Sequence, residues 1–307
     1  MSTRIKANLL LLLVTMFWGS SYLFIKMGLT ELQQFNLIAL RFIIAFILAG
    51  VVFYHRIIHT DFRTVQYALL LGTILFLVFV SLTFGMKSTS ASNAGFLVSL
   101  TVIFVPLLVA VFVRKIPEKR VLLGVTVALI GIGFLTLKQS FTISNGDFLC
   151  ILCALFNATH IILTGKFTKK PGVDAISLGV IQLGFTGIWG LLFTLLFESP
   201  EMPSTTNAWI SVLGLGVLCS AIAFVAQTTV QKYTTPTHTG LLFSLEPVFA
   251  AIFAFAFAGE VLTTKGYIGA CLVLLGVIIA EVDFKKLITK KQHVDQQNHC
   301  KKSVPCE

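Results

Sequence analysis

Long apolar runs alternate with short polar breaks along almost the whole chain. A membrane-spanning helix needs about 20 mostly apolar residues to cross about 30 Å of hydrocarbon. Ten such runs can be counted, at residues 7–26, 33–54, 65–86, 92–113, 120–137, 146–166, 174–197, 207–230, 237–258 and 265–284. The loops between them are short, so the pattern predicts an all-α integral membrane protein of ten transmembrane helices without an extramembrane catalytic domain.

The composition supports this fold class and excludes several others. The 307 residues are 56% hydrophobic and 12% charged, with a mean hydropathy of +0.91, whereas a soluble domain carries about 25% charged residues. Disorder requires low hydrophobicity, and six cysteines are too few for a disulfide scaffold. The net charge of +10 comes from short basic clusters between apolar runs, so we expect no nucleic-acid partner.

The distribution of Lys and Arg predicts the orientation in the membrane. Placing the N-terminus in the cytoplasm puts most of these residues, including those of the polar tail at 285–307, on the cytoplasmic side. Cytoplasmic loops carry the excess of positive residues in membrane proteins. We therefore expect a multi-pass protein of the plasma membrane with both termini in the cytoplasm.

An internal repeat divides the chain into two units of five helices. A shift of 145 residues superimposes the Gly-x-Leu-x-Ser-Leu pattern that begins at Gly95 on the same pattern at Gly240, without a gap. The units are predicted at 7–138 and 146–284. Because five is odd, the second unit enters from the opposite side of the membrane, which makes an inverted repeat. Such repeats suit alternating access, although duplication for stability alone is the other interpretation.

Residues at several points of the chain resemble those of a known family. These are the Phe-Trp-Gly-Ser-Ser-Tyr segment at 17–22 with Lys26, Arg41-Phe42, Ser244-Leu245-Glu246-Pro247, and Gly259-Glu260. Over residues 7–284 the chain resembles the EamA-type members of the drug/metabolite transporter superfamily. The resemblance implies a ten-helix carrier that moves small metabolites, often outward, through a central cavity. In the first half Thr101-Val102 stands at the Glu-Pro position, so any role of Glu246 is not duplicated.

Glu246 is the main candidate for a substrate-binding or coupling site. It lies near the middle of its run, where a charge is costly unless it is paired, hydrated or protonated. Pro247 removes a backbone donor and leaves the carbonyl of Phe243 free. The alternative is a structural carboxyl group bonded to a neighbouring helix, for instance through Arg41. For Arg41 itself we expect a structural role, as an ion pair or with its side chain extended to the interface.

Two aromatic patches are predicted to line a cavity. Trp18, Ser21 and Tyr22 share one helix face, at i, i+3 and i+4. A shift of 138 residues superimposes them on Phe156, Thr159 and His160. Related by pseudo-symmetry, the two patches would accept flat or amphipathic solutes. Ordinary helix packing is the alternative interpretation.

Small residues and cysteines receive structural interpretations. Gly95 with Ser99, and Gly240 with Ser244, are small pairs at i, i+4 that allow helices to approach closely in lipid. Cys-x-x-Cys at 150–153 lies in an apolar run, where buried Cys behaves as a small hydrophobic residue. No metal-ligand spacing and no Walker loop is recognised, so we expect no metal, no cofactor and no use of ATP.

These features predict a secondary transporter, an exporter of small organic metabolites such as amino acids. Its partners would be a small-molecule substrate, the lipid bilayer and, as a candidate coupling ion, the proton. The first alternative is a flippase or efflux protein for lipids or hydrophobic drugs. The second is an intramembrane enzyme, which would need a metal constellation or a nucleophile with its base. Neither is visible, so the chain is not expected to be an enzyme.

Overall fold

The described part of the chain is built from helices alone. The computed structural model describes residues 3–88, 91–113, 118–136, 145–258 and 264–281, and no strand occurs among them. The predicted tail and the Gly259-Glu260 pair lie outside the described residues. The elements are α1 (Thr3–Gly28), α2 (Gln34–Val52), α3 (Tyr54–Ile58), α4 (Phe62–Ser88), α5 (Ala91–Ser99), α6 (Thr101–Val113), α7 (Lys119–Thr136), α8 (Asn145–Phe167), α9 (Ala175–Phe197), α10 (Thr206–Leu213), a π-helix π1 (Gly214–Ile222), α11 (Ala223–Gln231), α12 (Pro236–Phe243), α13 (Glu246–Ala258) and α14 (Thr264–Glu281).

The helices have the length and composition of a multi-pass membrane protein. Seven helical segments are long and apolar enough to cross a membrane, and two shorter apolar helices accompany them at Leu97–Val111 and Thr264–Ile279. The predicted all-α membrane fold is confirmed. The position of the last predicted run, 265–284, agrees with α14 up to the end of the described residues.

Two of the predicted helices are in fact interrupted. The run 92–113 is divided between α5 and α6 at Leu100, and the run 237–258 between α12 and α13 at residues 244–245. Neither run is therefore one uninterrupted α-helix, although Pro236–Phe257 as a whole is long and apolar enough to cross a membrane. Pro247 accounts for part of the second break because it has no N–H to donate to the carbonyl of Phe243. The first break has Val102 at the equivalent position, so proline is not required for it.

The two breaks have the same hydrogen bonds 145 residues apart. In the first half the amide of Leu100 donates to Leu97, and those of Ile103 and Phe104 donate to Leu100. In the second half the corresponding bonds run from Leu245 to Leu242, and from Val248 and Phe249 to Leu245. The repeat seen in the sequence is therefore reproduced in backbone geometry.

The contacts between helices are also repeated: the main contacts made by the helices of one half have equivalents made by the corresponding helices of the other half. Equivalent helices pack on each other, α2 on α9 and α7 on α14. In the first half α4 packs on α8 and α9, and in the second half π1 packs on α1 and α2. Likewise α5 and α6 pack on α8, as α12 and α13 pack on α1. This two-repeat architecture places α1, α8 and the two interrupted helices in one bundle.

Glycines bring α7 and α14 close together. A Cβ at Gly276 would lie 2.5 Å from the carbonyl oxygen of Gly124 and 2.6 Å from the amide nitrogen of Ala128. A Cβ at Gly131 would lie 2.6 Å from the amide nitrogen of Val273. Backbone cannot yield as a flexible side chain can, so these two positions require glycine.

We expect Gly276→Ala to destabilise the protein. The added methyl group would push α7 and α14 apart, and overpacking of this kind costs about 1–3 kcal/mol. Thermal unfolding of the purified protein in detergent measures the loss. Gly95→Ala is the matched control, since a Cβ there meets nothing within 4 Å. Equal melting temperatures for the two variants would contradict the close approach.

Candidate functional site

Glu246 lies where four elements meet in the interior of the bundle. It is the first residue of α13, and its carboxyl group faces the hydroxyl of Tyr22 on α1. The thiols of Cys153 on α8 and Cys219 on π1 are within its electrostatic range. Its side chain is half-buried although its segment is apolar. An ionisable group at such a position is a functional-site candidate, since it requires a partner or water.

The break in the ninth predicted run places this carboxyl group at the start of a half-helix. The first amides of a helix have no intrahelical acceptor, and their dipoles favour a negative charge nearby. Pro247, directly after Glu246, suits the first turn because the amide that it lacks would be unpaired there. A negative charge at this point is therefore compatible with the direction of the helix dipole.

The first predicted patch packs around the break and π1. The indole nitrogen of Trp18 donates to the carbonyl of Cys219 at 3.0 Å, and its ring lies 4.7 Å from Phe243 and 5.1 Å from Phe224 between centroids. The hydroxyl of Ser21 donates to the carbonyl of Trp18 within α1. Tyr22 therefore lies beside Glu246 and Trp18 beside Phe243, whereas the Ser21 hydroxyl is used by its own helix.

The second predicted patch is only partly joined to the first. Nε2 of His160 lies 3.0 Å from the side-chain oxygen of Gln182, and its ring lies 6.1 Å from that of Phe224. Phe224 thus contacts both Trp18 and His160. Thr159 donates to its own helix at Leu155, and Phe156 is half-buried against the core.

Within the described residues, the side chain of Arg41 neither forms the expected ion pair nor extends to the membrane interface. The side chain is 1% exposed, so it does not reach an interface. Its Nε donates to the hydroxyl of Ser220 at 3.0 Å, and the guanidinium carbon lies 4.3 Å from the centre of the Phe79 ring. Among the described residues, neither terminal nitrogen has a hydrogen-bond partner, and no ion pair with Glu246 forms.

The small residues of the two breaks are used in several ways. The hydroxyl of Ser99 donates to the carbonyl of Gly95, and that of Ser244 to the carbonyl of Leu241. A Cβ at Gly240 would lie 3.1 Å from Val105 on α6, whereas Gly95 has open space. Thr101, which stands at the position of Glu246 in the first half, donates to the carbonyl of Val98 on α5 at 2.7 Å, and the carbonyl of Ala154 on α8 lies 3.3 Å from the same hydroxyl.

The cysteines are buried or isolated. Cys150, Cys153 and Cys219 are free and buried, and Cys271 is free and exposed. Within the described ranges no group of three or more His, Cys, Asp or Glu side chains is placed to hold a metal ion.

Two carboxylates, Glu31 and Glu198, join the halves at one end of the bundle. Glu198, at the end of α9, accepts from the amides of Phe35 and Asn36 in the first turn of α2, at 3.0 and 2.8 Å. Glu31 accepts from the hydroxyl of Thr205 at 2.6 Å and from the amide of Ser204. A cleft of about 430 Å³ lies beside Glu198. In the sequence both residues simply lie between apolar runs. Their contacts could not be predicted, because contacts between distant loops leave no local sequence pattern.

Comparison with known proteins gives matches over both halves. The model of the EamA-like transporter family matches residues 5–137 and 144–281. A relative from Archaeoglobus fulgidus named "Uncharacterized transporter" is 30% identical and covers 91% of this chain and 87% of its own. Another from that organism, with the same name, is 31% identical and covers 94% and 99%. The uncharacterized transporter YdfC of Bacillus subtilis is 25% identical over 88% and 89%.

A solved structure is similar in fold. A crystal structure of a protein superimposes with a TM-score of 0.77, covering 92% of this chain and 98% of its own, at 18% sequence identity. At that identity the similarity shows the fold, which agrees with the two-repeat helical architecture described above.

We expect the contact of Glu31 to stabilise the protein in a pH-dependent way. The Thr205 hydroxyl and the Ser204 amide lower the pKa of the Glu31 carboxyl group from its ordinary value of 4.5 to about 2. A carboxyl group whose pKa is lowered by folding stabilises the folded state at pH values above its ordinary pKa. This stabilisation is lost as the pH falls from about 4.5 towards 2. Glu31→Gln should therefore lower the melting temperature at pH 7, lower it by less at pH 3, and have little effect at pH 2 and below.

Glu201→Gln is the control for this measurement. Glu201 is an exposed carboxylate in the loop that carries Ser204 and Thr205, and its side chain makes no hydrogen bond among the described contacts. Its replacement should leave the melting temperature unchanged throughout this pH range. A difference between wild type and Glu31→Gln that stays constant from pH 7 to pH 3 would contradict a carboxylate origin.

Proposed function

Because the chain belongs to the EamA-like transporter family, we propose that it is a secondary transporter that exports small organic metabolites, such as amino acids, by alternating access. The ten predicted runs would span the plasma membrane as two inverted repeats with both termini in the cytoplasm. The energy would come from a proton gradient or from the gradient of the solute. The observation that carries this proposal is the pair of equivalent helix breaks, one of which presents Glu246.

The breaks support a binding site at the interface of the repeats. In carriers built from inverted repeats, interrupted helices in corresponding positions place half-helix ends at the substrate and ion sites. Irregular backbone within the membrane is tolerated only where it is buried in protein or lines an aqueous cavity. The half-burial of Glu246 agrees with a cavity that water can enter.

The candidate residues divide into two groups under this proposal. The first group binds the substrate or couples it to protons, and it consists of Glu246, Trp18, Ser21, Tyr22, Phe156, Thr159 and His160. The second group is structural, and it consists of Arg41, Pro247, Gly95, Ser99, Gly240 and Ser244. Within this group, Gly95 makes no close helix contact, because a Cβ there would meet open space. Exchanging the conformations of the two halves would then move access from one side of Glu246 to the other.

Flux measurements in proteoliposomes test the proposal. The purified protein is reconstituted into liposomes, which are loaded with labelled pools of amino acids and related metabolites. Flux is then assayed with and without an inward-acid pH gradient. We expect the labelled solutes to be released faster than from protein-free liposomes loaded in the same way. A change of this rate with the pH gradient identifies proton coupling. If folded protein moves no pool member but translocates labelled lipid, the metabolite-transporter proposal is wrong.

Glu246→Gln should reduce this flux by about tenfold or more while the protein remains folded. The neutral amide keeps the shape but loses the charge, and hydrogen bonds to charged groups contribute about 1.5–3 kcal/mol. Initial rates measured at several pH values compare the variant with wild type. Glu201→Gln, an exposed carboxylate outside the bundle, is the matched control and should transport normally.

Tyr22→Phe separates the hydroxyl contact from ring packing. If the hydroxyl acts through Glu246, the substitution slows flux in the wild-type protein and adds little in the Glu246→Gln background, because residues in contact are not additive. Additive losses would assign Tyr22 a separate role. Unchanged pH-dependent flux in Glu246→Gln would exclude Glu246 as the coupling site.

A further inference from the structure

We propose that Arg41 is an anion-binding group and that the transported solute carries a carboxylate which pairs with it. This inference rests on the proposed transport function, and it assigns Arg41 a role in recognition rather than in structure alone. It is argued from four free N–H donors, from the surroundings of the guanidinium, and from its position relative to Glu246.

The guanidinium has more donors than the described structure uses. An arginine side chain has five N–H donors and no acceptor. One of them, on Nε, donates to Ser220 at 3.0 Å. The two terminal nitrogens are buried, and no acceptor for their four N–H groups occurs among the described residues. Unsatisfied donors on a buried charge are costly, so an acceptor that reached these nitrogens would be bound favourably.

The surroundings orient the group without neutralising it. The guanidinium carbon lies 4.9 Å from the centre of the Phe42 ring and 4.3 Å from that of Phe79. Cation–π contacts contribute about 0.5–2 kcal/mol each, and they leave the N–H donors at the edge of the plane free. The hydroxyl of Ser220 is neutral. The positive charge therefore lacks an anionic partner in the described part of the protein.

The free edge matches a carboxylate in shape and charge. Two terminal nitrogens in one plane donate two parallel hydrogen bonds to the two oxygens of a carboxylate. One guanidinium balances one negative charge, which favours a monoanion. The rings of Phe42, Phe79 and Phe224 lie within 4.9–6.1 Å of one another between centroids, so the body attached to the carboxylate would meet an apolar surface.

The position of Arg41 connects it with the site around Glu246. Ser220 belongs to π1, and π-helical segments are rare and often occur at functional sites. Cys219, the preceding residue, accepts from the indole of Trp18, and its thiol is within electrostatic range of both Arg41 and Glu246. An anion would reach the terminal nitrogens when the helices around them separate, and alternating access requires such a movement.

Binding of a carboxylate and of its neutral amide to purified protein tests the proposal directly. The probes are phenylacetate and phenylacetamide, added at constant chloride concentration, and the readout is the melting temperature in detergent. We expect phenylacetate to stabilise the wild-type protein and phenylacetamide to have little effect. Arg41→Gln should weaken the response to phenylacetate by about 10–100-fold in apparent affinity. Arg41→Lys, which retains charge without the planar fork, should be intermediate.

The controls separate recognition from folding. Arg63→Gln removes an exposed arginine and should respond as wild type does. If Arg41→Gln does not fold, Ser220→Ala keeps the charge, releases Nε, and should weaken phenylacetate binding several-fold. A response of Arg41→Gln or Ser220→Ala equal to that of wild type would overturn the proposal. So would equal stabilisation of wild type by chloride or inorganic phosphate, which would indicate a site for any anion.

Transport assays show which of the two proposals fails. Flux of neutral and carboxylate solutes with the same rates in Arg41→Gln as in wild type would overturn the role of Arg41 and leave the transport function intact. Arg41-dependent binding of phenylacetate without flux of any solute would contradict the transport function and leave the anion site standing. Loss of carboxylate flux with retained flux of neutral solutes is the result expected.

Discussion

The arrangement of this protein depends on one constraint, which is that backbone polar groups within hydrocarbon must be satisfied inside the protein. Helices meet that requirement alone, so an interrupted helix needs neighbours. Both interruptions meet such neighbours: the first packs on α8 and the second on α1. Short i to i+3 bonds from Leu100 and Leu245 close the breaks. The breaks then supply what an uninterrupted apolar helix lacks, a polar helix end in the interior.

The two halves share this framework and differ in its chemistry. Thr101 and Glu246 are both the first residue after a break. The hydroxyl of Thr101 donates across its own break to the carbonyl of Val98, whereas Glu246 faces a hydroxyl on α1 and stays half-buried. The glycine contacts of α7 with α14 hold the equivalent helices together regardless of this difference. The asymmetry therefore concentrates ionisable chemistry in the second break, within a frame that retains two-fold contacts.

The sequence predicted the fold much better than the site. Run length located the helices, and a carboxyl group in an apolar run identified Glu246, because both signals are local. The break at Leu100 was missed because it lies inside a long apolar run, and no glycine or proline lies within four residues of it. The π-helix at Gly214–Ile222 has no distinct composition. Arg41 was recognised as a deep charge, but its neighbours come from helices distant in sequence, so its contact with Ser220 and its free donors required the structure.

The separation of Arg41 and Glu246 is itself informative. A direct ion pair would neutralise both groups and tie α2 to α13, which opposes the relative movement that a carrier needs. Instead, each group lies within electrostatic range of Cys219, and neither neutralises the other. If a carboxylate of the solute pairs with Arg41 while Glu246 takes up a proton, the net charge of the site stays at zero and each charge that remains has a partner. A neutral, occupied site is the state in which charged groups cost least within a low-dielectric bundle. On this argument, substrate and proton together favour the occluded form through which access changes sides.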